Sequence, residues 1–167
     1  MRLDPIFGLS ILGSFAAFGL LARLYLWPWL RRLSREEALR LLVLPHMFRF
    51  AGLSFLVTGV VSPALPASFA VPAAYGDLGA AILAIATIFA LSARAPSAFA
   101  IAWLFNAWGS LDLLFAFYNG IAINLEPGTL GAAYYIPTAL VPALLVTHGL
   151  IFIVLLAHVR AGDRKAI

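Results

Sequence analysis

The sequence contains no cysteine and only one lysine, and these absences exclude several kinds of chemistry. Without cysteine there are no disulfides, thiolate nucleophiles, Cys-ligated zinc sites or Cys-ligated iron–sulfur clusters. The single lysine, Lys165, follows the last apolar stretch, so a Schiff base inside a helix is also excluded. The G-x-S-x-G elbow, the H-E-x-x-H pair, the phosphate-binding glycine loop and the dinucleotide fingerprint are missing too. We therefore favour a non-enzymatic protein, although the sequence leaves catalytic activity open.

Charge is scarce and apolar residues are abundant. Of the 167 residues, 63% are hydrophobic and 11% are charged, and the mean hydropathy is +1.01. Soluble domains are nearer to about 45–50% apolar and 25% charged. Since no hydrophilic stretch is long enough to fold outside a bilayer, we predict an all-α integral membrane protein with one membrane domain over residues 1–167.

Five stretches are long enough to cross a membrane, which requires about 20 residues in a helix. They cover approximately residues 6–30, 41–62, 77–93, 98–121 and 133–158 and predict a single bundle of five transmembrane helices. The third stretch is rich in alanine and glycine, so we expect it at the centre of the bundle, where small side chains allow close helix packing. The proline-rich segment before it is predicted to be a loop in the headgroup layer.

The basic residues indicate an orientation. Eight of them fall in the first connection, the third connection and the C-terminal segment, which share one side of a five-span bundle: Arg31, Arg32, Arg35, Arg40, Arg94, Arg160, Arg164 and Lys165. The opposite side has Arg2 alone, so the pattern predicts an N-out, C-in protein of the inner (plasma) membrane with a cytoplasmic C-terminus. Because these charges lie at the ends of apolar spans, the net charge of +4 does not indicate nucleic-acid binding.

Local signals describe the start of the second span. Ser34 and Glu37 have the spacing of a capping box, which predicts a helix that begins at residue 35. Pro45 lies inside the helical run and cannot donate a backbone hydrogen bond, so we expect the helix to change direction there. His46 and Arg49 follow this position directly.

Arg49 and Asp112 lie inside the second and fourth predicted spans. A charged side chain near the centre of a membrane helix costs about 2.5–3.5 kcal/mol on insertion scales, which makes these residues the best functional lead. With a rise of about 1.5 Å per residue, Arg49 lies roughly 12 Å and Asp112 roughly 21 Å from the cytoplasmic side. Asp112 is the natural counter-ion of Arg49, but Asn106 is level with Arg49 and is the better candidate for a direct hydrogen bond.

Two further residues of the fourth span, Trp108 and Asn119, lie on the same face of the helix as Asp112. Trp108, Asp112, Phe115 and Asn119 recur at four, three and four residues, so they form one stripe on the helix. We include Trp108 and Asn119 in the candidate site on this ground.

His46 and His148 complete the predicted polar pocket. A haem with two histidine ligands needs imidazoles from two helices at nearly equal depth. The two residues lie roughly 7 Å and 15 Å from the cytoplasmic edge, a difference comparable to the uncertainty of the boundaries. Haem b ligation by this pair therefore stays an alternative, and no other metal site is predicted.

Three functions are compatible with these observations. The first is a protein that binds a small or lipophilic ligand, or relays protons, through Arg49, Asp112, Asn106, His46 and His148. The second is a haem b electron-transfer subunit, and the third is a structural or assembly subunit in which the polar residues hold helices together. The expected partners are the lipid bilayer, a hydrophobic small molecule, and either further copies of the chain or a larger membrane complex.

Overall fold

The structure is a computed structural model that describes residues 4–163, with side chains described up to residue 157. The predicted topogenic residues Arg2, Arg164 and Lys165, and the side chain of Arg160, lie outside this part. The protein is 84% helical, and no strand occurs among the described residues. Five helices are long and apolar enough to cross a membrane: α1 Pro5–Leu30, α2 Arg35–Leu56, α3 Ala67–Ser92, α4 Ala98–Ala122 and α5 Ile136–Ala157. The last of them continues to Asp163.

The predicted start of α2 is confirmed. The Ser34 hydroxyl accepts a hydrogen bond from the Glu37 backbone N–H at 3.3 Å, and a Glu37 carboxylate oxygen accepts one from the Ser34 N–H at 3.0 Å. These reciprocal bonds satisfy two backbone donors that a helix start would leave unpaired. The capping box therefore sets the beginning of α2 at Arg35.

The second half of α2 is a 3-10 helix. The α-helical part ends at Val43, and the segment Leu44–Leu56, with Pro45 in its first turn, has 3-10 geometry. Residues three apart eclipse one another in a 3-10 helix. The buried residues of this segment are His46, Arg49, Gly52 and Phe55, all at a spacing of three. The change of helix type thus places His46 and Arg49 on the same inward face.

Helix α3 begins at Ala67, well before the predicted start near residue 77. From Ala67 onward the segment predicted to be a loop is helical, with Pro66 at the cap position and Pro72 inside the helix. Pro72 has no N–H to donate to the carbonyl of Ser68, one turn earlier. The Asn119 amide of α4 donates to that carbonyl at 2.9 Å and replaces the missing bond. As a consequence Asp77 lies within α3, and not at its start.

The two ends of the bundle are packed differently. We call the end where α2 and α4 begin the lower end, and the end where α1, α3 and α5 begin the upper end. The lower end is filled by a continuous apolar cluster contributed by all five helices, including Leu30, Leu39, Leu91, Ala98 and Leu155. At the upper end α1 contributes little to the core, since no residue between Pro5 and Leu21 is buried.

We predict that Asn119→Leu lowers the free energy of unfolding by about 1 kcal/mol, the typical net contribution of one hydrogen bond. The cost should be much smaller in a Pro72→Ala background, because an alanine at this position would supply its own N–H to the Ser68 carbonyl. Unfolding of the four proteins of this double-mutant cycle in mixed micelles measures the difference. An equal cost in both backgrounds would contradict the compensation.

Candidate functional site

Arg49 is the centre of a buried cluster formed by three helices. Its Nε donates to Asp77 Oδ1 on α3 at 2.7 Å, and its Nη2 donates to Asp112 Oδ2 on α4 at 2.5 Å. Its Nη1 donates to the Gly109 carbonyl at 3.1 Å. The arginine is 1% exposed, so one guanidinium joins α2 to α3 and α4 in the interior of the bundle.

His148 connects this cluster to α5. Its Nδ1 lies 2.7 Å from Asn106 Oδ1, while the Asn106 amide nitrogen donates to the His148 carbonyl at 3.3 Å. The amide oxygen can only accept, so Nδ1 carries the proton and Nε2 has a free lone pair. That lone pair faces Arg49 Nη1 at 3.4 Å. The hydrogen-bond pattern therefore assigns His148 as a neutral imidazole.

His46 packs directly below His148. Its Nε2 lies 2.9 Å from the Thr147 hydroxyl, which itself donates to the Leu144 carbonyl at 2.8 Å, so His46 Nε2 is the donor in this contact. The two imidazole rings are 4.2 Å apart, and Phe105 packs edge-on against His46 at 5.1 Å. The remaining nitrogen, His46 Nδ1, is buried without a hydrogen-bond partner.

Three glycines provide the space for these charged groups. A Cβ atom at Gly109 would lie 2.6 Å from His148 Cε1 and 2.8 Å from Arg49 Nη1. A Cβ atom at Gly52 would lie 2.7 Å from Asp77 Cγ, and one at Gly76 would lie 2.6 Å from Asp112 Cγ. Real Cβ atoms do not approach other atoms this closely. The buried charged groups can meet only because α2, α3 and α4 each have a glycine, without a side chain, at the point of contact.

An apolar cavity of about 440 Å³ extends from the two carboxylates towards the upper end of the bundle. It is enclosed mainly by α1, α3, α4 and α5, with Phe15, Phe69, Phe117 and Leu145 among its apolar walls. Arg49 lies behind the carboxylates with its side chain fully buried, whereas the side chains of Asp77 and Asp112 are 9% and 12% exposed. The described residues that line the cavity include three charged side chains, and all three are acidic: Asp4, Asp77 and Asp112.

The predicted site residues separate into two groups. Five of them lie with Asp77 in one polar layer: Arg49, Asp112, Asn106, His46 and His148. Arg49 contacts Asp112 directly, whereas the Asn106 amide is paired with His148. The expectation that Asn106 is the better direct partner of Arg49 is therefore wrong. The other two predicted residues, Trp108 and Asn119, make their hydrogen bonds to the backbone of α3 and not to this layer. The Trp108 indole donates to the Gly76 carbonyl at 3.4 Å, and Asn119 contacts Ser68, so both connect α4 to α3.

Asp77 is the site residue that the sequence analysis misses. The predicted boundaries put it at the start of the third span, where a carboxylate would meet water. The signal that identifies it is the run from Ala67 to Ser92, whose apolar residues continue through Pro72 and Asp77 without a polar turn.

The geometry of the two histidines does not fit a haem. Ligation by two imidazoles places each nitrogen about 2 Å from the metal on opposite sides, which separates the ring centroids by roughly 6 Å. The rings of His46 and His148 are 4.2 Å apart, and both nitrogens of His148 are engaged with Asn106 and Arg49. No porphyrin can enter between rings that are already in contact.

Fold and site together define a class: an all-helical protein of five membrane-length helices around a buried Arg–Asp–His cluster. The chain belongs to the family of the domain of unknown function DUF8737, whose model matches residues 6–156. That range begins in the first turn of α1 and ends in α5, one residue before the end of its membrane-length part. It contains every residue of the polar layer. No curated protein matches the chain, and no solved structure does.

We predict that Gly109→Ala destabilises the protein by several kcal/mol, because its Cβ displaces either His148 or the guanidinium of Arg49. Gly149→Ala is the matched control, since a Cβ at Gly149 meets nothing within 4 Å. Alanine favours a helix by about 1 kcal/mol over glycine, so the control should be neutral or stabilising. Thermal unfolding in detergent measures both, and equal behaviour of the two variants would contradict the close approach at Gly109.

Proposed function

We propose that the protein is a five-pass, N-out and C-in membrane protein that binds a lipophilic ligand in the cavity at its upper end, with Asp77 and Asp112 at the polar end of the binding site. The observation that carries the proposal is the cavity itself, about 440 Å³ and apolar apart from its carboxylates and Asn124. Ligand sites typically have volumes of about 300–1,000 Å³ and apolar walls with a few fixed polar groups.

Insertion in a membrane is supported by the surface of the helices. Large apolar side chains face outward on all five of them, for example Ile6, Phe48, Phe89, Leu111 and Ile153. Soluble monomers rarely expose contiguous apolar surface of this extent. Helix α1 supports the same conclusion, because a 17-residue apolar segment without one buried residue needs lipid or another apolar partner around it.

Binding is favoured over a proton relay across the membrane by the lower end of the bundle. A relay needs polar side chains or water on both sides of the charged groups. Below His46 the interior consists mainly of the apolar cluster that includes Leu39, Val43 and Ile151, all fully buried. The buried Thr87 hydroxyl in this region donates to the Leu83 carbonyl of its own helix and does not extend the polar layer. The polar layer is thus reached from the cavity side and closed on the other side, as expected for a binding site.

The orientation can be tested with single cysteines, since the natural chain has none. Ala64 and Ser97 are exposed and lie in the connections at the upper and lower ends. We predict that Ala64→Cys in intact cells reacts with a membrane-impermeant maleimide, and that Ser97→Cys reacts only after permeabilisation. The reverse pattern would overturn the N-out orientation, and equal labelling of both would overturn membrane spanning.

Binding can be tested by filling the cavity. Ala116 is half-buried and lines it, so we predict that Ala116→Phe weakens binding of 1-dodecanol at least about tenfold, because the ring occupies part of the space that the chain needs. Ala86→Phe is the control, since Ala86 lies on the exposed face of α3. Native mass spectrometry of protein released from micelles counts the bound probe. Equal binding by wild type and Ala116→Phe would rule out the cavity as the site.

A further inference from the structure

The charges around the cavity indicate the chemistry of the ligand's polar end. We propose that the ligand is a cationic amphiphile, with an apolar chain in the cavity and an ammonium-type head at Asp77 and Asp112, and that its binding displaces one proton. This inference rests on the proposed function, because it assigns a ligand class to the same cavity.

The first step is the charge balance of the polar layer. With both carboxylates ionised, Arg49 contributes one positive charge against two negative charges, so the cluster carries a net charge of −1. Isolating an uncompensated charge from water costs several kcal/mol in a protein interior. The layer is therefore most stable when a second positive charge joins it, either a proton on the carboxylate pair or a cationic head.

The surrounding groups do not supply that charge. Helix α2 contributes Arg49 and His46, and α5 contributes His148. The residue that caps the start of α1, Asp4, also lines the cavity and is acidic. The hydrogen-bond pattern makes His148 neutral, since it presents a lone pair to Arg49. His46 is neutral for a different reason: its Nδ1 is buried without a partner, and a proton there would be a buried donor with no acceptor. Among the described residues that line the cavity, no basic side chain offsets the carboxylates.

An anionic ligand fits this site poorly. The guanidinium lies behind Asp77 and Asp112, and its Nε, Nη1 and Nη2 already bind these carboxylates and Gly109. A fatty-acid carboxylate entering the cavity would meet two carboxylate groups before it reached the arginine. An ammonium head, in contrast, would find two carboxyl groups at the end of an apolar channel, and it can donate to both once the shared proton has left.

The exchange is balanced in atoms and charge. The empty site holds one proton on the Asp77/Asp112 pair. An ammonium ion then enters from solution, its N–H groups donate to the carboxylate oxygens, and the displaced proton leaves to the solvent. The charge of the layer is the same before and after, so about one proton is released for each amine bound.

The test compares three probes with the same chain length on the intact protein near neutral pH: n-dodecylamine, 1-dodecanol and dodecanoate. We expect the amine to bind about tenfold or more tightly than the alcohol, because hydrogen bonds to charged groups are the stronger ones, and dodecanoate to bind most weakly. Calorimetry in two buffers of different ionisation enthalpy should show release of about one proton per amine and none per alcohol.

Asp112→Asn provides a second measurement. It keeps the shape of the side chain and leaves Arg49 balanced by Asp77 alone, so the advantage of the amine over the alcohol should fall to about one and proton release should disappear. If this variant does not fold, the probe ratio and the proton count of the wild type still decide the question.

The outcomes separate the inference from the proposed function. Equal binding of amine and alcohol, tightest binding of dodecanoate, or amine binding without proton release would overturn the inference and leave the lipophilic site intact. Failure of all three probes to bind would overturn the proposed function and the inference with it.

Discussion

The architecture depends on one buried guanidinium. Arg49 donates to α3 through Asp77 and to α4 through Asp112 and the Gly109 carbonyl, and it meets α5 through His148. Removing one partner from such a cluster leaves an uncompensated buried charge, which is far more costly than the net contribution of an exposed ion pair. Since the arginine links α2, α3, α4 and α5, a shift of any one of these helices in the middle of the bundle would disturb its contacts to the others.

Backbone geometry makes this contact possible. A 3-10 helix rises about 0.5 Å more per residue than an α-helix, so the segment that begins at Leu44 carries Arg49 further towards Asp112 than an α-helix would. The same geometry keeps His46, Arg49 and Gly52 on one face. The missing side chains of Gly52, Gly76 and Gly109 then allow the carboxylates and His148 to approach.

Sequence alone predicts the five helices and most of the polar layer, because long apolar spans and isolated charges are strong signals. The prediction fails where a residue that is distant in sequence supplies a hydrogen bond that the local segment lacks. Pro72 suggests a loop until Asn119 of another helix supplies the missing hydrogen bond, and Asp77 is then misplaced. The pairing of Arg49 with Asp112 stays open in the sequence partly for a related reason: the segment from Leu44 is a 3-10 helix, and its larger rise accounts for about 2.5 Å of the difference of about 9 Å between the two predicted depths.

The different packing of the two ends of the bundle is the feature on which the proposed function rests. Below the polar layer the interior of the bundle is filled mainly by aliphatic and aromatic side chains, which close the lower route to the charged residues. Above it the helices separate around a cavity of about 440 Å³, and α1, with no buried residue from Pro5 to Leu21, forms one wall. A wall held by few core contacts is the part that can move at least cost, since the elements with the fewest buried contacts open first. For the proposed binding of an amphiphile we therefore expect entry past α1, because this route disturbs the buried charged residues least.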